Sequence, residues 1–158
     1  MKFSRGLSAL AVAGATLAGL TLASGSLAQH GGGVGSDTRE FVKLPEMMNA
    51  HMLANMRDHL LAVQQIQQAM AAGQWDEAAM IAEKRLGMSS LDAHGASHIA
   101  GFMPEGMQAA GTSMHRAASR FAIKARDAGV SPDWSGVTSA FAEVLQSCNG
   151  CHAGYRTR

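Results

Sequence analysis

Between Pro45 and Cys148, apolar side chains return every three or four residues, and no sustained stretch alternates apolar with polar at period two. That spacing belongs to helices with one buried face. Ala, Met, Leu, Gln and Glu dominate the same region and favour helix, so the chain predicts an all-α fold. Four segments separate at helix punctuation. The first starts at Pro45 and runs to about Ala72 ahead of Gly73, with Met52, Met56, Leu60, Val63, Ile66 and Met70 on one sulfur-rich stripe. The second takes Asp76 as N-cap, carries Ala79, Met80 and Ile81, and stops at Gly87 after Lys84 and Arg85, cations suited to a helix C-terminus. A connection, MSSLDAHGASHIAGFM, follows. The third segment runs from near Pro104 to Ala128 before Gly129, with Met107, Met114, Phe121 and Ala125 on one side. Ser131 then caps Pro132 at the first turn of a fourth, on which Trp134, Val137, Phe141, Val144 or Leu145, and Cys148 recur.

Four amphipathic helices joined by short links predict an antiparallel four-helix bundle, an architecture whose interior usually holds the cofactor. Aromatic residues make up only 5% of the chain, which is thin for such a core. A large apolar cofactor would supply the missing buried surface, although eleven methionines and many alanines can also fill a bundle. Length, 47% hydrophobic and 16% charged content fit one globular domain at residues 44–158.

The first residues change where this domain is expected to work. Lys2 and Arg5 precede an uncharged Leu/Ala/Gly run that ends at Ser26-Leu27-Ala28, the order of a secretory signal cleaved after Ala28. A retained membrane anchor is the competing reading, and the Gly and Ala content and cleavage-like end speak against it. The signal at residues 1–28 implies export to the periplasm, with no membrane span after its removal. Residues 29–43 are Gly-rich and polar and predict a flexible leader, where His30 is at most an adventitious metal ligand. The whole chain carries a formal charge of +1 with scattered basic residues, so no footprint for nucleic acid is present.

Chemistry concentrates at the other end. QSCNGCHAGYRTR holds the chain's only two cysteines, Cys148 and Cys151, with His152 directly after them. C-x-x-C-H is the covalent haem-attachment signature. Thiols three residues apart on a helical turn can reach the two vinyl groups of one porphyrin edge, and the next residue, His152, can then offer its imidazole to the iron. A thioredoxin-like redox pair would need a strand before the motif and more chain after it. A disulfide between Cys148 and Cys151 would close a tiny loop for little entropic gain. Zinc would need a fourth ligand from elsewhere, such as His94 or His98. One covalent haem c is therefore the expected cofactor.

Because this motif closes the last helix, the tail CNGCHAGYR resembles the cytochrome c′ class, the class II c-type cytochromes, whose C-terminal motif reads C-x-x-C-H-x-x-[YF]-R. The resemblance covers about Pro45 to Arg156 and rests almost wholly on the last helix. It implies thioether links at Cys148 and Cys151, His152 as proximal iron ligand, and Tyr155-Arg156 as the aromatic-basic pair beyond it, with Arg156 near the haem or simply a cation at a helix C-terminus. The distal residue of that class comes from the first helix, roughly four turns before the glycine that ends it. Counting back from Gly73 gives Met56 or Arg57, and Met56 alone lies on the apolar stripe. Met56 is thus the expected distal ligand, with Met52 or His59 one turn to either side as fallbacks, while Arg57 is a candidate partner for a haem propionate or a plain surface arginine. Methionine there goes with six-coordinate, low-spin, electron-carrying members of the class. A non-ligating residue goes with five-coordinate iron that binds NO or CO.

The connection departs from the class. It places His94 and His98 at i, i+4, and Met103 and Met107 at the same spacing. If helical, each pair would share a face, and His/Met sets suit copper; solvated histidines and core methionines are the plainer alternative. The expected function is an exported one-electron carrier that passes electrons to redox partner proteins, with a gas-binding module or a copper-handling protein as alternatives. No arrangement of acid, base or nucleophile marks an enzyme. Two copies often pair through the first two helices in the class, so a homodimer is among the expected assemblies.

Overall fold

The structure is a computed structural model that describes residues 36–158. The expected signal and cleavage site lie outside the described residues. The fold is predominantly helical, with four long helices: α1 (Glu46–Ala71), α2 (Trp75–Arg85), α4 (Glu105–Val130) and α5 (Trp134–Gly154). Between α2 and α4 the chain makes two 3-10 turns around the short α3 (Ala96–Ile99). Among the described residues, no helix is long and apolar enough to cross a membrane.

Each helix boundary has a local cause. Pro45 and Pro104 sit just before α1 and α4, their fixed φ suited to the entry of a helix. Gly73, at φ +69°, takes the chain out of α1 in the left-handed region that glycine enters at least cost. Two expected caps shift. Helix α2 begins two residues earlier than expected, with Gln74 as N-cap and Asp76 inside the first turn, where its charge still complements the helix dipole. Asp133, not Ser131, caps α5: its carboxylate accepts from the Gly136 amide at 2.9 Å.

In sequence order, α1 packs on α2, α2 on α4, and α4 on α5. All four helices feed one core: Ala62, Ile66 and Ala69 from α1, Ala78, Ala79 and Ala82 from α2, Met114 to Ala128 from α4, and Val137, Phe141 and Val144 from α5. Much of the contact surface is alanine, which lets backbones approach closely. The α4 stripe predicted from the sequence is buried in full.

The α1 stripe is rotated from the expected one. Leu60 is 72% exposed, whereas His59 is only 9% exposed, and the buried positions run His59, Ala62, Ile66, Ala69. Small residues at 62 and 69 share the core with the α2 alanines where α1 packs on α2, and this close packing accounts for their burial over the larger Leu60. Likewise Met80 is partly exposed, since α2 buries Ala78, Ala79 and Ala82. Trp134 is 60% exposed yet meets Trp75 edge-on at 4.7 Å between ring centroids, joining the first turns of α2 and α5.

The segment expected to be leader is ordered in its last part. Glu40–Phe41 (β1) pairs in parallel with Tyr155–Arg156 (β2), and the Val42 amide donates to the Arg156 carbonyl at 2.8 Å. The compact unit therefore begins at Asp37, ahead of the boundary expected at 44. This two-residue ladder ties the chain immediately after α5 to the chain ahead of α1.

Candidate functional site

A cavity of about 520 Å³ lies between α1, the 91–103 connection, the first half of α4 and the end of α5. Its volume falls in the range typical of sites for small ligands and cofactors. The walls are largely apolar, with Leu53, Leu91, Ile99, Met103, Met107 and Met114 among them. Cys151, His152 and Met56 all line it, brought together from opposite ends of the chain. Met52 and His59 line it too, so both fallback positions for a distal ligand share the wall with Met56.

Other expected site residues divide. Cys148, one turn before Cys151 on α5, is half-buried against the core and does not line the cavity. Both cysteines are free, and burial raises both thiols above their ordinary value. A reactive redox pair needs the reverse, a thiol pulled down by a nearby positive charge. Arg156 lines the cavity, with its Nε buried without a hydrogen-bond partner; that atom lies 3.4 Å from Asp37 Oδ2, near enough for charge attraction but not aligned for a hydrogen bond. Its guanidinium also covers the Phe41 ring at 5.1 Å. Arg57 is exposed on α1 and does not line the cavity.

The connection is not one continuous helix. Gly95 takes φ +62°, between a turn that ends with His94 and the short α3. The i, i+4 face expected for His94 and His98 therefore does not form: His94 faces the cavity, while His98 is exposed and outside its lining. Met103 and Met107 do line it, Met103 from extended backbone before α4 and Met107 from its first turn.

Arg39 and His115 were passed over at the sequence level, and so was the meeting of His115 with His59 and His94. Arg39 comes from the expected leader, where it pairs with Asp37 at 2.8 Å. That hydrogen bond is the main reason Asp37 is held at about 2, so the carboxylate stays ionised. Tyr155 also lines the cavity, and its hydroxyl lies against Gly106 in the first turn of α4, where a side chain would collide with it. Most telling is a histidine cluster. His59 on α1, His94 in the connection and His115 on α4 stand with ring centroids 4.7, 5.4 and 6.2 Å apart. Only the burial of His115 beside Met114 on the α4 stripe could have flagged its inward direction.

His94 is held by backbone and side chains alike. Its carbonyl lies 3.0 Å from His51 Nε2 and accepts from Asn55 Nδ2 at 3.2 Å, which docks the connection onto α1. Its Nε2 meets His59 Nε2 at 3.3 Å, and its Nδ1 lies 3.3 Å from the buried Ser90 Oγ. Among the described residues, no three or more His, Cys, Asp or Glu side chains are arranged as a ready metal-binding group.

Burial, seconded by the charges of His94 and His115, pushes His59 down to about 4. The consequence for stability has a definite sign. Below its ordinary value of about 6.5, the unfolded chain takes up a proton that the folded chain refuses, so stability falls as pH drops from about 6.5 to about 4. The slope contributed by this one group approaches about 1.4 kcal/mol per pH unit, and above pH 6.5 it vanishes. Urea midpoints measured at about pH 7 and about pH 4.5 should differ clearly in the native chain and by less in His59→Leu, which lacks this group but keeps His94, also shifted down by burial.

Comparison of the chain with protein-family models, with characterised proteins and with solved structures finds no match. The functional reading therefore stands on the residues themselves.

Proposed function

We propose that this protein is an exported carrier of single electrons, an antiparallel four-helix bundle of the class II cytochrome c type, with one haem c attached through Cys148 and Cys151. The observation that carries the reading is the convergence of Met56, Cys151 and His152 on one largely apolar cavity of about 520 Å³. The residues present fit the group. Two unpaired thiols stand one helical turn apart on α5, an imidazole follows the second, and five methionines and the histidine cluster line the opposite walls. Arg156 Nε on the same lining, buried and without a hydrogen bond though 3.4 Å from Asp37 Oδ2, suits a further carboxylate such as a propionate.

When bound, haem supplies a one-electron Fe(II)/Fe(III) couple. The chain's own part is to hold and tune it. His152 would hold the iron as its proximal ligand and Met56 as its distal one, with Met52 and His59 as neighbouring alternatives. A thioether ligand raises the potential relative to an imidazole. Arg156 adds positive charge on the side where His152 enters, while exposed Arg57 remains a more distant candidate for the haem environment. His152 itself is exposed. A redox group anchored there lies close to solvent and to the surface on which a partner protein docks, so electron exchange needs no substrate channel. Export to the periplasm follows from the Lys2/Arg5, apolar and Ser26-Leu27-Ala28 pattern.

The test is the absorption spectrum of the exported protein, oxidised and reduced, before and after carbon monoxide. A low-spin spectrum that carbon monoxide leaves unchanged is expected. In Met56→Ala the spectrum should become high-spin and shift promptly with carbon monoxide. A native protein that is already high-spin and shifts would overturn the carrier assignment in favour of a gas-binding module. An unchanged spectrum in Met56→Ala would move the ligand to Met52 or His59.

A further inference from the structure

We propose that His59 and His94 form a Cu(I) site in the cavity wall, completed by thioether sulfur from the methionines beside them. The site stands on the contact between the His59 and His94 rings, which ligation of haem by His152 and Met56 does not need. The two Nε2 atoms are 3.3 Å apart. Bonds of about 2.0–2.1 Å at a tetrahedral angle place two imidazole nitrogens about 3.4 Å apart around one ion. The pair is already at the separation a shared metal requires.

The surrounding hydrogen bonds prepare the donors. Ser90 Oγ gives its hydrogen to the Gly87 carbonyl at 2.7 Å, so toward His94 Nδ1 at 3.3 Å it acts as acceptor. His94 therefore carries its proton on Nδ1 and turns the Nε2 lone pair to His59. His115 is fixed the same way, its Nδ1 donating to the Leu86 carbonyl at 2.8 Å. Outer partners of this kind hold ligating histidines in one tautomer and orientation. In the metal-free pair His59 Nε2–H donates to His94; on binding, His59 moves that proton to Nδ1, and no net proton is released. Burial keeps both rings neutral, the form that ligates.

The choice of ion follows from what lies nearby. Among the described residues, no carboxylate or thiolate joins the pair in a ready group of three, which a zinc site would need. Met103, Met107 and Met114, none of them assigned to the haem, line the same cavity. Imidazole with soft thioether suits Cu(I). The copper alternative drawn from the sequence thus changes residues: His98 leaves, and His59 enters.

Competition of the exported protein with bicinchoninate for Cu(I) tests the proposal, with haem content recorded separately by absorbance so that failure of either reading is seen by itself. Wild type should take up one equivalent. His94→Leu and His59→Leu should each lose at least tenfold in affinity with an unchanged helical circular dichroism signal. Ser90→Ala, which leaves both ligands in place, should lose about tenfold, as removal of outer-sphere partners does. X-ray absorption of the copper-loaded protein should show imidazole nitrogen together with sulfur. No uptake by wild type, equal uptake by the histidine variants, or a sulfur-only copper shell would overturn it.

Discussion

The double variant Cys148→Ser/Cys151→Ser is expected to carry no covalent haem. Denatured wild-type protein should retain the pigment through electrophoresis and show the added mass of one haem, and the double variant should lose both. Each single variant keeps one thioether, so either should retain covalent haem in reduced yield. The physical reason is that denaturation removes every non-covalent hold on a porphyrin, the ligation proposed for His152 and Met56 included, and would leave only bonds to sulfur. These are the chain's only two cysteines, which makes the result unambiguous: pigment that stays with the double variant means attachment by another chemistry, and no pigment in wild type sinks the haem assignment. The two thiols also differ in their surroundings. Cys151 lines the cavity and Cys148 packs against the core, so Cys148→Ser places a hydroxyl on a partly apolar surface and should cost the fold slightly more than Cys151→Ser.

What the sequence made legible was local and periodic. The four long helices, the proline entries at 45 and 104, and the buried α4 face at Met107, Met114, Phe121 and Ala125 follow from a 3.6-residue period and punctuation near in sequence. Register on α1 did not follow. Leu60 outranks Ala62 in hydrophobicity, yet the packing of α1 on the alanine-rich face of α2 favours the small residue, and that packing lies outside any window on α1. The same holds for the site. Cys151 and His152 announce themselves by spacing, and Met56 by its place on a stripe. His59, His94 and His115 come from three different elements and meet through the docking of the connection onto α1, where His51 and Asn55 hold the His94 carbonyl. No one-dimensional pattern encodes that meeting. The parallel pairing of Glu40–Phe41 with Tyr155–Arg156 is equally remote: it joins the two ends of the compact unit, and each strand is too short to show alternation.

Phe121→Ala should be the most damaging single change to the fold. Phe121 is fully buried, the largest of the completely enclosed side chains, and its ring stands 5.3 Å from that of Phe141. Its neighbours on α4 are Ala117, Ala118, Ala122 and Ala125, short side chains with no rotamers that could swing into the space left behind. A core built on alanine relaxes poorly, so the cost falls in the upper part of the usual range for a buried phenylalanine, about 3–5 kcal/mol. Set against a total stability of about 5–15 kcal/mol for a domain, that loss brings the chain close to unfolding. It should appear as a large drop in urea midpoint with unchanged slope. Phe102→Ala, at a ring 45% exposed, is the control and should cost far less. A further consequence joins core to site. Phe121 and Phe141 pin α4 to α5, and α5 carries Cys151 and His152 while α4 carries Met107, Met114 and His115. Loosening that contact should widen the cavity's spread of conformations before the chain unfolds. With haem held as proposed, distal ligation should therefore weaken in urea ahead of the loss of helix in Phe121→Ala, whereas the two should change together in the native chain.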